Sequence, residues 1–144
     1  MNYDDMFQYV YKVLNDANAI KSKKKESSFR NRYLHTKRVY SWCLRLMKDY
    51  NDVNEEILLT SAIFHDAGYS VGKENHAFIS SLIFEEYAKN NNFDPLFISI
   101  VSKNIKNHSD KSLIKNKNSS IELILLLEAD LLDEEGAIDR KSVV

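Results

Sequence analysis

The sequence predicts an all-α protein, a single-domain helical bundle running through residues 1–144. Three observations lead there. Only three glycines and one proline occur in 144 residues, which leaves little turn chemistry for hairpins. Apolar residues recur at spacings of three and four instead of alternating. Asn, Asp and Ser stand ahead of several apolar stretches, where helix N-caps belong. At 44% hydrophobic and 28% charged, the composition is globular and excludes collagen-like, mucin-like and wholly disordered chains. A chain of this length buries roughly two-thirds of its unfolded surface, enough for a core without staples.

The elements run in order along the chain. Residues 4 to about 24 carry Phe7, Val10, Tyr11 and Leu14 on one helical face. Residues 28–50 carry His35, Val39, Trp42, Leu46 and Tyr50 on another. Asn54 is the expected cap of a third helix, with Glu55 and Glu56 at its positive end. That helix passes Ile57, Leu58 and Phe64, reaches His65-Asp66 and stops at Gly68. A fourth carries His76, Ile79, Ser80, Ile83 and Tyr87 and ends in Asn90-Asn91-Asn92. Asp94 followed by Pro95 opens a fifth, carrying Ile98, Val101, Ile105 and His108. Ser119 with Glu122 reads as a capping box for a sixth, which runs through leucines to Asp130 and Asp133 and ends at Gly136. Residues 69–74 and the Lys-, Ser- and Asn-rich stretch 109–118 read as loops.

Several function classes are excluded or disfavoured. The net charge of −1 lacks the basic excess of a duplex-nucleic-acid binder. The run Lys21-Ser22-Lys23-Lys24-Lys25 reads as a solvated helix end or loop, with a phosphate or RNA contact as the alternative. A single cysteine, Cys43, precludes an internal disulfide framework and any Cys-pair zinc motif; beside Trp42 it reads as core. The longest apolar run, residues 123–127, is far short of the ~20 residues of a membrane helix. The opening Met-Asn-Tyr-Asp-Asp has no basic start or apolar stretch, so a cytoplasmic location with no membrane partner is expected. Glycine-rich phosphate loops and the Gly-x-Ser-x-Gly elbow are absent from the sequence.

The chain has four histidines, His35, His65, His76 and His108, each at the end or on the apolar stripe of a separate expected helix. Any one alone reads more readily as a hydrogen-bonded core residue; the set points to a site. Asp130 follows Leu123, Leu126 and Leu127 at helical spacing, so its carboxylate points with leucines. A buried carboxylate must be paired, hydrogen-bonded or metal-bound, because burying it bare costs several kcal/mol. Asp66, beside His65, is the second candidate acid. Imidazole and carboxylate donors together suit one divalent ion such as Mn, Fe, Co, Ni, Zn or Mg. Two of each would leave positions open for water and substrate, as catalysis requires.

In order along the chain stand Arg-Tyr-Leu-His-Thr-Lys-Arg-Val, Phe-His-Asp-Ala-Gly-Tyr, Asn-His-Ala, Asn-His and Glu-Ala-Asp-Leu-Leu-Asp-Glu-Glu-Gly-Ala-Ile-Asp-Arg. This ordered His…His-Asp…Asp series, spanning about residues 28–140, resembles the HD-domain metal-dependent phosphohydrolase superfamily, in particular its small bacterial members. The resemblance implies an all-helical bundle in which His35, His65, Asp66 and Asp130 hold one metal. His76 and His108 then line the pocket and serve substrate or proton transfer, or bind a second metal with Asp66 bridging. The implied reaction is hydrolysis of a phosphate ester, on a nucleotide-like or other small phosphorylated substrate, with Asp66 as the catalytic carboxylate. Arg32 and Arg38, flanking His35, are candidates for the phosphate, as is Lys73. Many such hydrolases carry a lysine directly after the His-Asp-x-Gly stretch, where this chain has Tyr69. Asp133 is a candidate for holding a ligand, and Arg140 for pairing with an acid near the site. Many small relatives continue with further helices beyond the segment ending near Arg140. A pocket left uncovered there would suit a homodimer, or a metal-stabilised module that senses a nucleotide without turnover. Oxidation chemistry of the kind found in two-iron relatives is a third reading.

Overall fold

A computed structural model of the chain describes residues 1–20 and 24–135, and the side chains of these apart from 17–20 and 24–30. The side chains of the lysine run, the helix end expected at Gly136, and Arg140 lie outside the described residues. Among the described residues the fold is all-α: α1 Tyr3–Ile20, α2 Lys24–Leu46, α3 Glu55–Phe64, α4 His76–Asn90, α5 Pro95–Asn107 and α6 Ile121–Glu134. Three short 3-10 helices, Met47–Asp49, Ala67–Ser70 and Lys111–Lys115, connect them. Among the described residues no helix is long and apolar enough to cross a membrane.

α3 organises the bundle. Its residues from Ile57 to Phe64 are all buried, so it has no solvent face and is surrounded by partners. It packs against α1, α2, α4, α5 and α6. On one side Ile63 and Phe64 join Met6, Val10, Phe84, Tyr87, Val101 and Ile105. On the other, Leu58, Leu59 and Ala62 meet Val39, Trp42, Cys43, Leu125, Leu126 and Ala129. The chain therefore leaves α3 at the centre of the molecule, and the two residues it delivers there are His65 and Asp66.

The start signals for α3 and α5 hold at atomic level. Asn54 Oδ1 accepts from the Ile57 amide, and Asp94 Oδ2 accepts from Leu96 and Phe97 with Pro95 behind it. Four sequence expectations are corrected. The cap of α6 is Ser120, whose Oγ accepts from the Leu123 amide; Ser119 instead donates to the Leu113 carbonyl. Glu122 completes no box, because its carboxylate accepts from the Asn54 amide and joins the starts of α3 and α6. Tyr11 is exposed, since Met6, Val10 and Leu14 already fill the buried stripe of α1. α2 starts at Lys24 and ends at Leu46, which leaves Tyr50 exposed beyond a 3-10 turn. The stretch 109–118 holds a 3-10 helix, capped where Asp110 Oδ1 accepts from Ser112.

Candidate metal centre

Six polar side chains arrive at one end of α3 from five helices. His35 lies midway along α2 and Asp130 in the last part of α6; both are buried among apolar neighbours. His65 caps the C-terminus of α3 and Asp66 comes directly after it. His108 caps the C-terminus of α5, and His76 opens α4. A close backbone approach at Gly68 brings the last of these in. A Cβ there would stand 2.1 Å from the His76 carbonyl oxygen, and the Gly68 amide donates to Ser80 Oγ at 2.6 Å. Only glycine lets the turn after Asp66 lie so tightly on the first turn of α4.

Every imidazole is oriented through Nδ1. His65 Nδ1 donates to the Ala62 carbonyl at 2.6 Å, His108 Nδ1 to Ile105 at 2.7 Å and His76 Nδ1 to Lys73 at 3.0 Å. His35 Nδ1 donates to Asp133 Oδ2 at 2.6 Å. A carbonyl or a carboxylate can only accept, so Nδ1 carries the hydrogen in all four rings and the Nε2 atoms face one another. His35 and His65 Nε2 are 3.4 Å apart, and His76 and His108 Nε2 are 3.2 Å apart. In neutral rings those are lone pairs opposed at contact distance, an arrangement that needs a cation, either a proton or a metal ion, to be stable.

The carboxylates stand among them. Asp130 Oδ1 lies 2.8 Å from His35 Nε2 and 3.5 Å from His65 Nε2. Asp66 divides its oxygens: Oδ2 is 3.4 Å from His35 and 3.6 Å from His65, while Oδ1 is 3.5 Å from His76 and 3.4 Å from His108. The sets His35–His65–Asp66, His65–His108–Asp130, Asp66–His76–His108 and His35–Asp130–Glu134 each bring ligand atoms within 4.8 Å of one another.

A family model described as HD domain matches residues 32–135, more than half of the chain. The chain belongs to the HD domain family. Comparison with curated proteins and with solved structures gave no match. HD domains form a superfamily of metal-dependent hydrolases that bind divalent metals, and His65-Asp66 is this chain's HD doublet. The donor set here fits such an ion. Each ring has its Nδ1–H committed to an acceptor, the usual support of metal-ligating histidines, and the nitrogen and oxygen donors suit a first-row divalent cation.

The electrostatics of this HD centre are those of a charged site held out of water. Burial opposes charging His65, but Asp66 and then Asp130 outweigh it and raise its pKa from 6.5 to about 9. Burial likewise pushes Asp66 up, yet His65, His108 and His35 hold it well below the usual carboxylate range. Asp130 is held down in the same way, by hydrogen bonds from His35 and His65 and by the nearby Lys111. Burial, only partly offset by Asp66, lowers His76. These are opposed pulls on adjacent groups, the pattern found where a protein concentrates chemistry.

A cavity of ≈ 240 Å³ opens over the centre, lined by Asp66, Asp130, His76 and His108 together with Arg32, Tyr69, Ser109, Lys111 and Glu134. Arg32 Nη1 donates to Asp66 Oδ2 at 2.9 Å, and its guanidinium stacks on the Tyr69 ring at 4.7 Å. Tyr69 also packs on His76, with ring centroids 4.3 Å apart. Two of the expected phosphate contacts do not line this cavity. Arg38 Nε donates to Asp133 Oδ1 at 2.7 Å, so Arg38 fixes the acid that orients His35. Lys73 contributes its carbonyl to His76, and its side chain is exposed.

Three cavity residues, Ser109, Lys111 and Glu134, are not singled out by the sequence. Glu134 stands four residues after Asp130, a spacing that shares a helix face, so its signal was present. Burial and then Asp130 push its pKa up. Lys111 Nζ donates to Asp130 Oδ2 at 2.8 Å and to the His108 carbonyl at 2.9 Å. Its only signal was the Asp110-x-Ser112 capping pattern, which restarts a helical turn directly after His108.

Proposed function

We propose that this protein hydrolyses a phosphate ester, using one divalent metal ion held by His35, His65, Asp66 and Asp130. One observation carries the reading: four imidazoles, each tethered through Nδ1, turn their Nε2 atoms toward two buried carboxylates beneath an open cavity. A structural staple would be closed off from solvent, whereas this donor set lies under a cavity. The ion, when bound, supplies Lewis acidity and a water of lowered pKa.

The chain's own residues account for the rest. Asp66 is the catalytic carboxylate: Oδ2 faces the inner imidazole pair and Oδ1 the outer pair, so it can bind and orient the attacking water together. Arg32 uses Nη1 on Asp66 and keeps further N–H donors for phosphoryl oxygens. His76 is the most exposed of the four histidines, with 18% of its side chain accessible. Its Nδ1–H is tied to Lys73, so any proton it passes to the leaving oxygen moves at Nε2. The cavity is smaller than the ~300 Å³ at which sites for drug-sized ligands begin, which suits a phosphoryl group whose leaving group extends into solvent.

A second reading assigns His76 and His108 to a second ion, with Asp66 bridging. The division of the two Asp66 oxygens favours it. Elemental analysis of protein purified without chelator, joined to a phosphomonoesterase and phosphodiesterase screen with added Mn(II), tests both. About one ion per chain and turnover abolished by Asp66→Ala supports the first reading. Two ions per chain supports the second. Metal uptake with no turnover of any ester leaves a metal-stabilised binding module, and no metal uptake refutes the proposal.

A further inference from the structure

Lys111 reaches the cavity from the 3-10 helix that begins three residues after His108. Its ammonium meets two acceptors fixed in the cavity wall, Asp130 Oδ2 and the His108 carbonyl oxygen. The Asp130 oxygen it uses is the outer one; Oδ1 faces His35 and His65. Lys111 can therefore stay on Asp130 while Oδ1 serves an ion. A lysine ammonium has three donors, and these two bonds leave one. The side chain is 26% exposed, against 3% for Asp130, so that donor sits at the water-accessible side of the wall.

The charge balance points the same way. Arg32 and Lys111 face Asp66, Asp130 and Glu134 around the cavity. Two cations against three carboxylates become complementary to an anion once a divalent ion is present. The two cations are bound to different carboxylates, Arg32 to Asp66 and Lys111 to Asp130, so they stand as separate anchor points.

We infer that Lys111 is a substrate-anchoring residue: held on Asp130 Oδ2 and the His108 carbonyl, it presents its third N–H to an anionic phosphoryl oxygen, with Arg32 as the second anchor. This role rests on the metal-dependent hydrolysis proposed for the site. It gives the chain a phosphate cation from a different segment from Lys73, whose side chain does not line the cavity.

The test is calorimetric titration of the 144-residue chain, first with Mn(II) alone and then with inorganic phosphate on the Mn-loaded protein, for wild type, Lys111→Met and Lys111→Arg. Lys111→Met should bind Mn(II) at least as tightly as wild type, because a positive charge beside the ion is gone. Its phosphate affinity should fall roughly tenfold, the size of one charge-assisted hydrogen bond. Lys111→Arg should keep most of that affinity. If Lys111→Met weakens Mn(II) binding and lowers the melting temperature together, Lys111 is a strut for Asp130 and the inference is overturned. Unchanged phosphate affinity overturns it as well. Should Lys111→Met fail to fold, Lys111→Gln is judged by the same two titrations. A wild-type chain that takes up no Mn(II) defeats the metal reading itself; a failure confined to the lysine variants defeats only the role of Lys111.

Discussion

The inner and outer walls of the site are built differently. The inner wall, His35, His65 and Asp130, is almost wholly buried and comes from α2, the C-terminal cap of α3 and α6. The outer wall, Arg32, Tyr69, His76 and Lys111, is partly exposed; Arg32 shares α2 with His35, and the other three come from a 3-10 turn, a helix start and a second 3-10 helix. Both outer cations are bound to carboxylates of the centre. The contrast matches two jobs that the proposed hydrolysis would require. A buried, doubly tethered wall suits holding an ion in fixed geometry, and a shallower cationic wall suits an anion that must enter and leave.

The sharpest way to break this division is to remove an inner group. His65→Ala removes the imidazole that stands buried against both Asp66 and Asp130 and should destabilise the chain by about 3–5 kcal/mol, with loss of bound metal. Denaturant melts and elemental analysis read both, and full metal content in that variant would contradict the division. Gly68→Ala tests the seam between the walls. Its Cβ meets backbone at the start of α4, so overpacking of about 1–3 kcal/mol is expected, together with a displaced His76. Asp133→Asn probes support for a ligand: metal affinity should drop about 10–100-fold with the fold intact, as for other residues that orient metal-binding histidines.

Proton competition sharpens the comparison further. With metal stripped by chelator, the raised His65 pKa contributes stability that is complete below pH 6.5 and is lost as pH rises through about 9. The proton that an incoming ion must displace sits on Nε2, because Nδ1 is committed to Ala62. Mn(II) affinity should therefore climb across the same window, by up to about tenfold per pH unit, with proton release seen in calorimetry. The smallest effect belongs to Arg38→Ala. Its side chain is 42% exposed, and the pair with Asp133 is worth at most about 1 kcal/mol.

Much of the fold was legible because helix signals are local. Asn54 and Asp94 announce helix starts, and the side-chain oxygen of each accepts from the amides that its spacing selects. The Ser119-Ser120 pair shows where local signals end. Either hydroxyl can cap, and the choice is made by the Leu113 carbonyl, six residues before Ser119, which takes Ser119 away. The histidines and Asp130 stood out because polar groups on apolar stripes conflict with their surroundings. Lys111, Arg38 and Lys73 carried no such conflict. A lysine in a polar stretch looks the same whether its ammonium, its carbonyl or neither serves a site, and only tertiary packing separates Lys111 from Lys73.

Asp130 lies 95 residues after His35, to which it is hydrogen-bonded. During synthesis the other donors leave the ribosome first, and until α6 emerges only the Asp66 carboxylate stands against both His35 and His65. A nascent chain halted before that point would hold the four imidazoles and one of the two carboxylates of the centre. The polar set is thereby completed only once nearly every packing partner in the bundle has been made.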